Sequence, residues 1–301
     1  GRPMTDITLL DGGMGQELVA RSGDAPTPLW ATQVMIDHPG LVRAVHADYF
    51  AAGATIATTN TYAIHHDRLE KFGLDPRFAA LHAQALAEAT AARDAHGAGR
   101  IAGSLGPLVA SYRPEVFPPH AEAVAKYAEV ARLLGPHVDL VLAETVASLA
   151  HARAVLEGAG AGGKPVWLSV TVDDEDGSRL RSGEPVAGLA PILQGDGAQA
   201  ILANCSAPEA MAAALAVFCG LGLPFGAYAN GFRQITKAFL KDNPTVDALS
   251  ARPEMTPALY AGYALLWVDM GATIIGGCCE TTPAHIAEIG RRLRDAGHRI
   301  V

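Results

Sequence analysis

Eight short apolar runs rich in β-forming residues recur along the chain, at residues 7–10, 55–60, 100–104, 138–143, 166–172, 200–204, 224–229 and 273–276. Most are continuous rather than alternating, the pattern of parallel strands buried on both faces. Between them, apolar residues recur at helical spacing. Leu41, Val42, Val45 and Tyr49 share one face, with Gly53 placed to cap the end. Val124, Tyr127, Val130 and Leu134 form a stripe closed by Gly135 and Pro136, and Leu149, Ala152 and Leu156 another that ends at Gly158. Met211, Leu215 and Phe218, then Leu259, Tyr263 and Leu266, then Ile286, Ile289 and Leu293 complete the series. Thr256-Pro257 and Thr282-Pro283 have the form of an N-cap followed by proline at the first helical position. Eight strands alternating with helices over this length predict a single-domain α/β fold, a (β/α)8 TIM barrel. An open doubly wound sheet would usually carry GxGxxG after an early strand, and Asp11-Gly-Gly-Met-Gly15 lacks that spacing.

Composition narrows the function classes. The net charge of −8, with no basic cluster, excludes nucleic acid as a partner. Residues 211–230 carry no charge, but Gly220, Gly222 and Pro224 interrupt them, so they predict helix, turn and strand and no membrane span. Gly1-Arg-Pro-Met4 has the look of a cloning remnant before a native Met, with one domain over 5–301 and no signal peptide. Four cysteines at irregular spacing do not make a disulfide scaffold, so a reducing, cytoplasmic setting is expected. Two long segments, 173–184 and 231–257, are expected at the barrel mouth, either as solvated insertions or as a lid or oligomer contact. The outer helices leave room for a homo-oligomer.

In a barrel, side chains at the C-terminal strand ends converge on one mouth. Here those ends carry Asp11, Gly12, Gly13, Asn60, Thr61, Tyr62, Ser104, Glu144, Thr145, Asn204, Cys205, Tyr228, Asn230, Cys278 and Cys279. Cys219 falls on a helix away from the mouth and is expected to be a packing residue. Cys205, Cys278 and Cys279 lie where the sixth and eighth strands end. Three thiols with an open fourth position match Zn²⁺. With three thiolates such a site is negative overall, a poor Lewis acid toward water but suited to holding a substrate thiol as thiolate. That points to alkyl transfer to sulfur. No lysine ends a strand, which weakens Schiff-base chemistry. His65 and His66 are expected to be solvated loop residues rather than ligands.

Asp11-Gly-Gly-Met-Gly-Gln-Glu-Leu18, Thr59-Asn-Thr-Tyr62, Gly103-Ser-Leu-Gly-Pro107, Glu144-Thr145, Asn204-Cys-Ser206, Gly276-Gly-Cys-Cys279 and Thr281-Thr-Pro283, in that order, resemble the homocysteine S-methyltransferases. The resemblance implies a barrel with zinc on Cys205, Cys278 and Cys279 that methylates L-homocysteine to methionine. It implies that Asp11 and the amides of Gly12 and Gly13 help hold the amino acid, that Glu144 binds its ammonium, and that Thr61, Ser104 and Asn204 complete the pocket. The family's methyl donors include S-methylmethionine, S-adenosylmethionine, betaine and methylfolate. Glu144 is followed by Thr145 rather than an aromatic, which leans away from betaine and toward a sulfonium such as S-methylmethionine or S-adenosylmethionine. Two departures fall at the mouth: Glu280, where the family usually has glycine, and Ala229 before Asn230, where it commonly has proline. Glu280 adds a negative charge near the thiols or points to solvent. Other outcomes are methyl transfer to a different thiol or selenol, sulfonium demethylation, or a zinc- or thiol-binding protein without turnover.

Overall fold

The computed structural model of the protein describes residues 4–27, 29–195, 197–231 and 255–301. Among the described residues nine strands run β1 (Asp6–Leu9), β2 (Ile56–Thr58), β3 (Arg100–Leu105), β4 (Leu140–Val146), β5 (Val166–Val170), β6 (Ala200–Asn204), β7 (Phe225–Ala229), β8 (Ile274–Gly277) and β9 (Arg299–Ile300). They form one sheet in the order β2-β3-β4-β5-β6-β7-β8-β1-β9, and every pairing is parallel. The helices up to the middle of the chain are α1 (Gly15–Ser22), α2 (Ala31–Asp37), α3 (Leu41–Ala52), α4 (His66–Leu69), α5 (Phe78–His96) and α6 (His120–Leu134). Those that follow are α7 (Leu149–Ala159), α8 (Ala190–Leu193), α9 (Met211–Phe218), α10 (Pro257–Asp269) and α11 (Pro283–Asp295).

All eight apolar runs become strands, and the reason they are apolar throughout is visible in the packing. Leu140 and Leu142, Ala200 and Leu202, and Ile274 join Leu10, Ile56, Ala102, Trp167 and Tyr228 in one inner cluster. Their neighbours Val141 and Ala143, Ile201 and Ala203, and Ile275 join the helices in a separate outer cluster. Alternate residues thus enter two different cores, and neither side of the strand is left for polar groups. Carried two residues further, the inward parity brings Ser104, Glu144 and Asn204 to the top of the inner face.

The sheet is curled. The backbone of Thr55, just before β2, donates to Leu9 at the end of β1 (2.8 Å). Strand β9 was not expected. It pairs with the lower half of β1 (Asp6↔Arg299, Ile7↔Ile300), and Thr55 Oγ1 donates to the carbonyl of Val301 (2.8 Å). The end of the chain therefore packs between β1 and the approach to β2. Two residues are too short a run to stand out by pattern.

The helix caps agree with expectation. Gly53 ends α3 in the left-handed region, Thr256 caps α10 through Leu259 N, and Thr282 opens α11 in a capping box with His285. Three expectations fail. Helix α5 was missed because alanines lie on all its sides and leave no stripe. The Leu259–Tyr263–Leu266 stripe of α10 does not face the core: Leu259 and Leu266 are exposed while Tyr260, Ala264 and Trp267 are buried. That helix is apolar all round, so periodicity cannot select its buried face. Cys219 is exposed rather than packed. The segment after β5 is largely solvated, as one reading expected, yet antiparallel bridges Val172↔Leu180 and Arg179↔Pro185 tie it down, and Leu180 is fully buried. Of 231–257, residues 232–254 lie outside the described residues. No helix among the described residues is long and apolar enough to cross a membrane.

Several histidines are enclosed. His65 is buried rather than solvated, and its Nε2 meets the carbonyl of Gly106 (3.0 Å). Burial holds His46 and His82 down to about 4 and His151 to about 3. Both ring nitrogens of His46 are without a partner among the described residues. Because these folded-state values lie below the unfolded one, the unfolded chain binds more protons between about pH 6.5 and 4, and stability falls as pH drops through that window. Thermal melts at pH 7 and pH 5 will show a lower midpoint at pH 5. His46→Leu, which removes two unpaired buried nitrogens, will raise the midpoint, consistent with about 1 kcal/mol of relieved desolvation, and will lessen the acid sensitivity.

Candidate active site and metal centre

The C-terminal strand ends open on a cavity of about 130 Å³. Asp11, Gly12, Gly13, Glu144, Cys205, Cys278 and Cys279 line it. Thr61, Ser104 and Asn204 do not. They stand behind the wall and hold it in place. Thr61 Oγ1 donates to the Ser104 carbonyl (2.7 Å), and Ser104 Oγ donates to Glu144. Asn204 receives the Thr145 N–H (3.0 Å) and donates to Thr145 Oγ1 (3.0 Å). Thr145 has φ 57°, a costly conformation for a β-branched residue, so this two-point grip is what keeps Glu144 facing the cavity. His65 and His66 are not ligands: His66 bridges Asp75 and Glu129 on the periphery.

The cysteines meet by an inward turn. Strands β6 and β8 flank β7, so their ends should stand about 10 Å apart across two strand spacings. The Cα atoms of Cys205 and Cys278 are 5.7 Å apart. Cys205 N–H still bonds to the Tyr228 carbonyl (3.2 Å), and Cys278 N–H to that of Ala229 (2.9 Å). Beyond that anchorage Cys205 adopts φ 49°, which turns the chain over the end of β7. On the other side, a Cβ at Gly276 would sit 2.5 Å from the Cβ of Leu10, and one at Gly277 would strike the Thr281 side chain. Gly276 lets β8 approach the residues after β1, and Gly277 leaves room for Thr281.

The three sulfurs lie within 4.8 Å of one another. Cys205 and Cys278 are joined as a disulfide and Cys279 is free, where three free thiols were expected. The convergence that suits a metal also brings two sulfurs into bonding reach. Three thiolates on a tetrahedral ion with bonds of about 2.3 Å would lie about 3.8 Å apart, so the reduced trio fits a metal ion. Burial, reinforced by the charges of Glu280 and Glu144, pushes the Cys279 thiol up to about 12. At neutral pH it keeps its proton unless a bound cation replaces it.

The rest of the cavity is anionic and aromatic. Asp11 accepts from the backbone and hydroxyl of Thr58 (2.8 and 3.1 Å), yet burial raises it to about 7. Glu144 accepts from Ser104 and from Tyr228 Oη (3.0 Å), and burial raises it as well. No lysine or arginine among the described residues lines the cavity. Trp30, Tyr62, Tyr112 and Tyr228 supply aromatic walls. Tyr62 and Tyr228 are legible at strand ends, but Trp30 and Tyr112 come from loops with no chemical motif. The aromatic residues weaken the case against betaine made from Thr145 alone. Gly13 N–H is already bonded to the Thr281 carbonyl and hydroxyl (both 3.1 Å), so it serves the loop–β8 contact. Glu280 does not line the cavity. It is half-buried with φ 65° against Gly231, and burial raises its carboxyl.

Among the described residues the cavity brings together three cysteine sulfurs, two buried carboxylates and no basic side chain, a set suited to sulfur chemistry. The sequence model of the homocysteine S-methyltransferase family matches residues 8–293, and the chain belongs to that family; it is a methyltransferase. It is 32% identical to homocysteine S-methyltransferase of Escherichia coli K12, across 95% of each chain. Its fold matches crystal structures of the homocysteine methyltransferase MmuM from Escherichia coli over 96% of each chain. The TM-score is 0.79 to the metallated form (30% identity) and 0.79 to the oxidized form (31% identity).

A cation bound between Asp11 and Glu144 pairs with their ionised forms. An ammonium-bearing ligand held there would bind more tightly as pH rises through about 7, where Asp11 loses its proton, and Asp11→Asn would flatten that rise. Calorimetric titration at pH 6 and pH 8 measures both.

Proposed function

We propose that the protein is a zinc-dependent methyltransferase that moves a methyl group from a sulfonium donor, S-methylmethionine or S-adenosylmethionine, to the sulfur of L-homocysteine, giving methionine. The observation that carries this reading is the placing of the Cys205–Cys278–Cys279 trio in one cavity with two buried carboxylates and no basic side chain among the described lining residues. Zinc suits a donor set of three sulfurs and, when bound, holds the acceptor thiol as its thiolate near neutral pH. We read the curled sheet as a (β/α)8 barrel of β1 to β8 with β9 packed at its lower edge.

The chain's own residues supply the rest. Glu144, held by Ser104, Tyr228 and the strained Thr145, faces the cavity as the partner of the homocysteine ammonium. Asp11 adds a second negative charge, oriented by Thr58. Thr61, Ser104 and Asn204 act through these groups. The aromatic faces of Trp30, Tyr62 and Tyr112 can lie against a donor cation and exclude water from it. Charge favours a sulfonium over betaine. Betaine is neutral overall, whereas a sulfonium amino acid carries a net positive charge toward the two carboxylates. Three reduced thiols require a reducing compartment, which supports a cytoplasmic setting.

Reduced, purified protein will hold about one zinc per chain, and Cys278→Ser will lose both the metal and methionine formation. A metal-free protein of full activity would sink the zinc reading. Glu144→Gln keeps the shape but not the charge. It will raise KM for homocysteine by about 10–100-fold, the worth of a hydrogen-bonded charge, while zinc content stays unchanged. A panel of donors with homocysteine, read by mass detection of methionine, will show turnover with a sulfonium and none with betaine.

A further inference from the structure

The inward turn at Cys205 needs something to hold it, because a non-glycine residue at φ 49° persists only where its surroundings determine it. The groups around it come from the segment after β5. The Cys205 carbonyl accepts from Thr171 Oγ1 (3.0 Å) and from Arg181 Nη2 (3.1 Å). The same guanidinium donates through Nε to Thr171 Oγ1 (3.1 Å) and through Nη2 to Asp174 Oδ1 (3.1 Å). Asp174 Oδ1 in turn accepts the N–H of Ala207 (2.7 Å). An ion pair thus brackets the turn, with its cation on the carbonyl of residue 205 and its anion on the amide of residue 207. Both side chains are largely enclosed, at 13% exposure for Arg181 and 9% for Asp174. Enclosure makes these charge-assisted bonds count for more than a surface pair would. The other face of the guanidinium lies over the Tyr112 ring, 5.2 Å from its centroid, and Tyr112 lines the cavity.

We propose that Arg181, oriented by Asp174, is a positioning residue of the metal centre: it locks the left-handed turn that aims Cys205 at Cys278 and Cys279, and it braces the Tyr112 wall of the same cavity. The inference rests on the zinc reading above and adds to it a residue that touches neither metal nor substrate. A planar fork serves Thr171, Asp174 and Cys205 together, which a lysine ammonium cannot reproduce from one plane. Partners of this kind behind a metal ligand typically contribute 10–100-fold in affinity.

The test is zinc affinity by competition with a chromogenic chelator, on reduced wild type and the variants Arg181→Met, Arg181→Lys and Asp174→Asn, with metal-free thermal melts alongside. Arg299→Met, which breaks an exposed ion pair with Asp6, is the control and should bind zinc as wild type does. The expected result is a loss of about 10–100-fold for Arg181→Met, with Arg181→Lys and Asp174→Asn intermediate. A variant that melts lower without metal yet binds zinc as tightly as wild type would show a merely structural role and overturn the proposal. Should Arg181→Met not fold, the two milder variants decide by the same criterion. A second readout needs no metal: the rate at which Cys205 and Cys278 pair on mild oxidation, followed by thiol titration. The clamp predicts slower pairing in the Arg181 variants, and equal rates overturn it. If wild type takes up no zinc, the metal reading fails, and the pairing rate alone decides the clamp.

Discussion

The site depends on a backbone constraint: one residue at the end of β6 must leave the extended conformation and turn across the top of β7. Without that turn, Cys205 and Cys278 would remain two strand spacings apart, too far for one ion. The six non-glycine residues with positive φ among the described residues are Trp30, Val109, Tyr112, Thr145, Cys205 and Glu280. Three of them, Trp30, Tyr112 and Cys205, line the cavity, and Thr145 and Glu280 directly follow the lining residues Glu144 and Cys279. Such strain concentrates where side chains must be aimed rather than packed. The sheet below is unstrained and doubly buried, and it provides the stability against which these turns are held.

The second organising feature is electrostatic. Two carboxylates and three sulfurs are enclosed without a basic neighbour among the described residues of the cavity lining. Burial is the main cause that shifts Asp11, Glu144 and Cys279 toward their protonated forms, and neighbouring carboxylates add to it at Asp11 and Cys279. A bound cation would favour their ionised forms. An ammonium, a sulfonium and a metal ion would each relieve part of the same desolvation. Asp174 and Arg181 stand outside this logic: they neutralise each other and act on the backbone.

Much of the architecture was legible because its pattern is forced by burial. Parallel strands packed on both faces must be apolar throughout, so eight runs could be counted, and the alternation of inner and outer side chains brings Ser104, Glu144 and Asn204 to the same face. Caps were legible for a local reason: Thr-Pro starts and Gly53 act within a few residues. Where several faces were equally apolar, pattern failed, as in the alanine-rich α5 and in α10, whose exposed stripe was taken for its buried one. The two-residue β9 carries too little signal to detect. His65 shows the limit from the other side, since a histidine after a strand gives no sign that Gly106 will enclose it.

Chemistry divided along the same line. The order of strands and the residue types at their ends were enough to bring Cys205 to the mouth with Cys278 and Cys279, to set Cys219 apart, and to suggest a sulfur ligand set, because these follow from local pattern and donor chemistry. Tertiary structure decided which of the residues named at strand ends line the cavity and which support it, since Thr61, Ser104 and Asn204 differ from Glu144 only in what surrounds them. It also brought in Trp30 and Tyr112 from loops, and placed Arg181 against the turn at Cys205. Contacts between segments distant in the chain are set by the closing of the sheet, and no single stretch of sequence contains them.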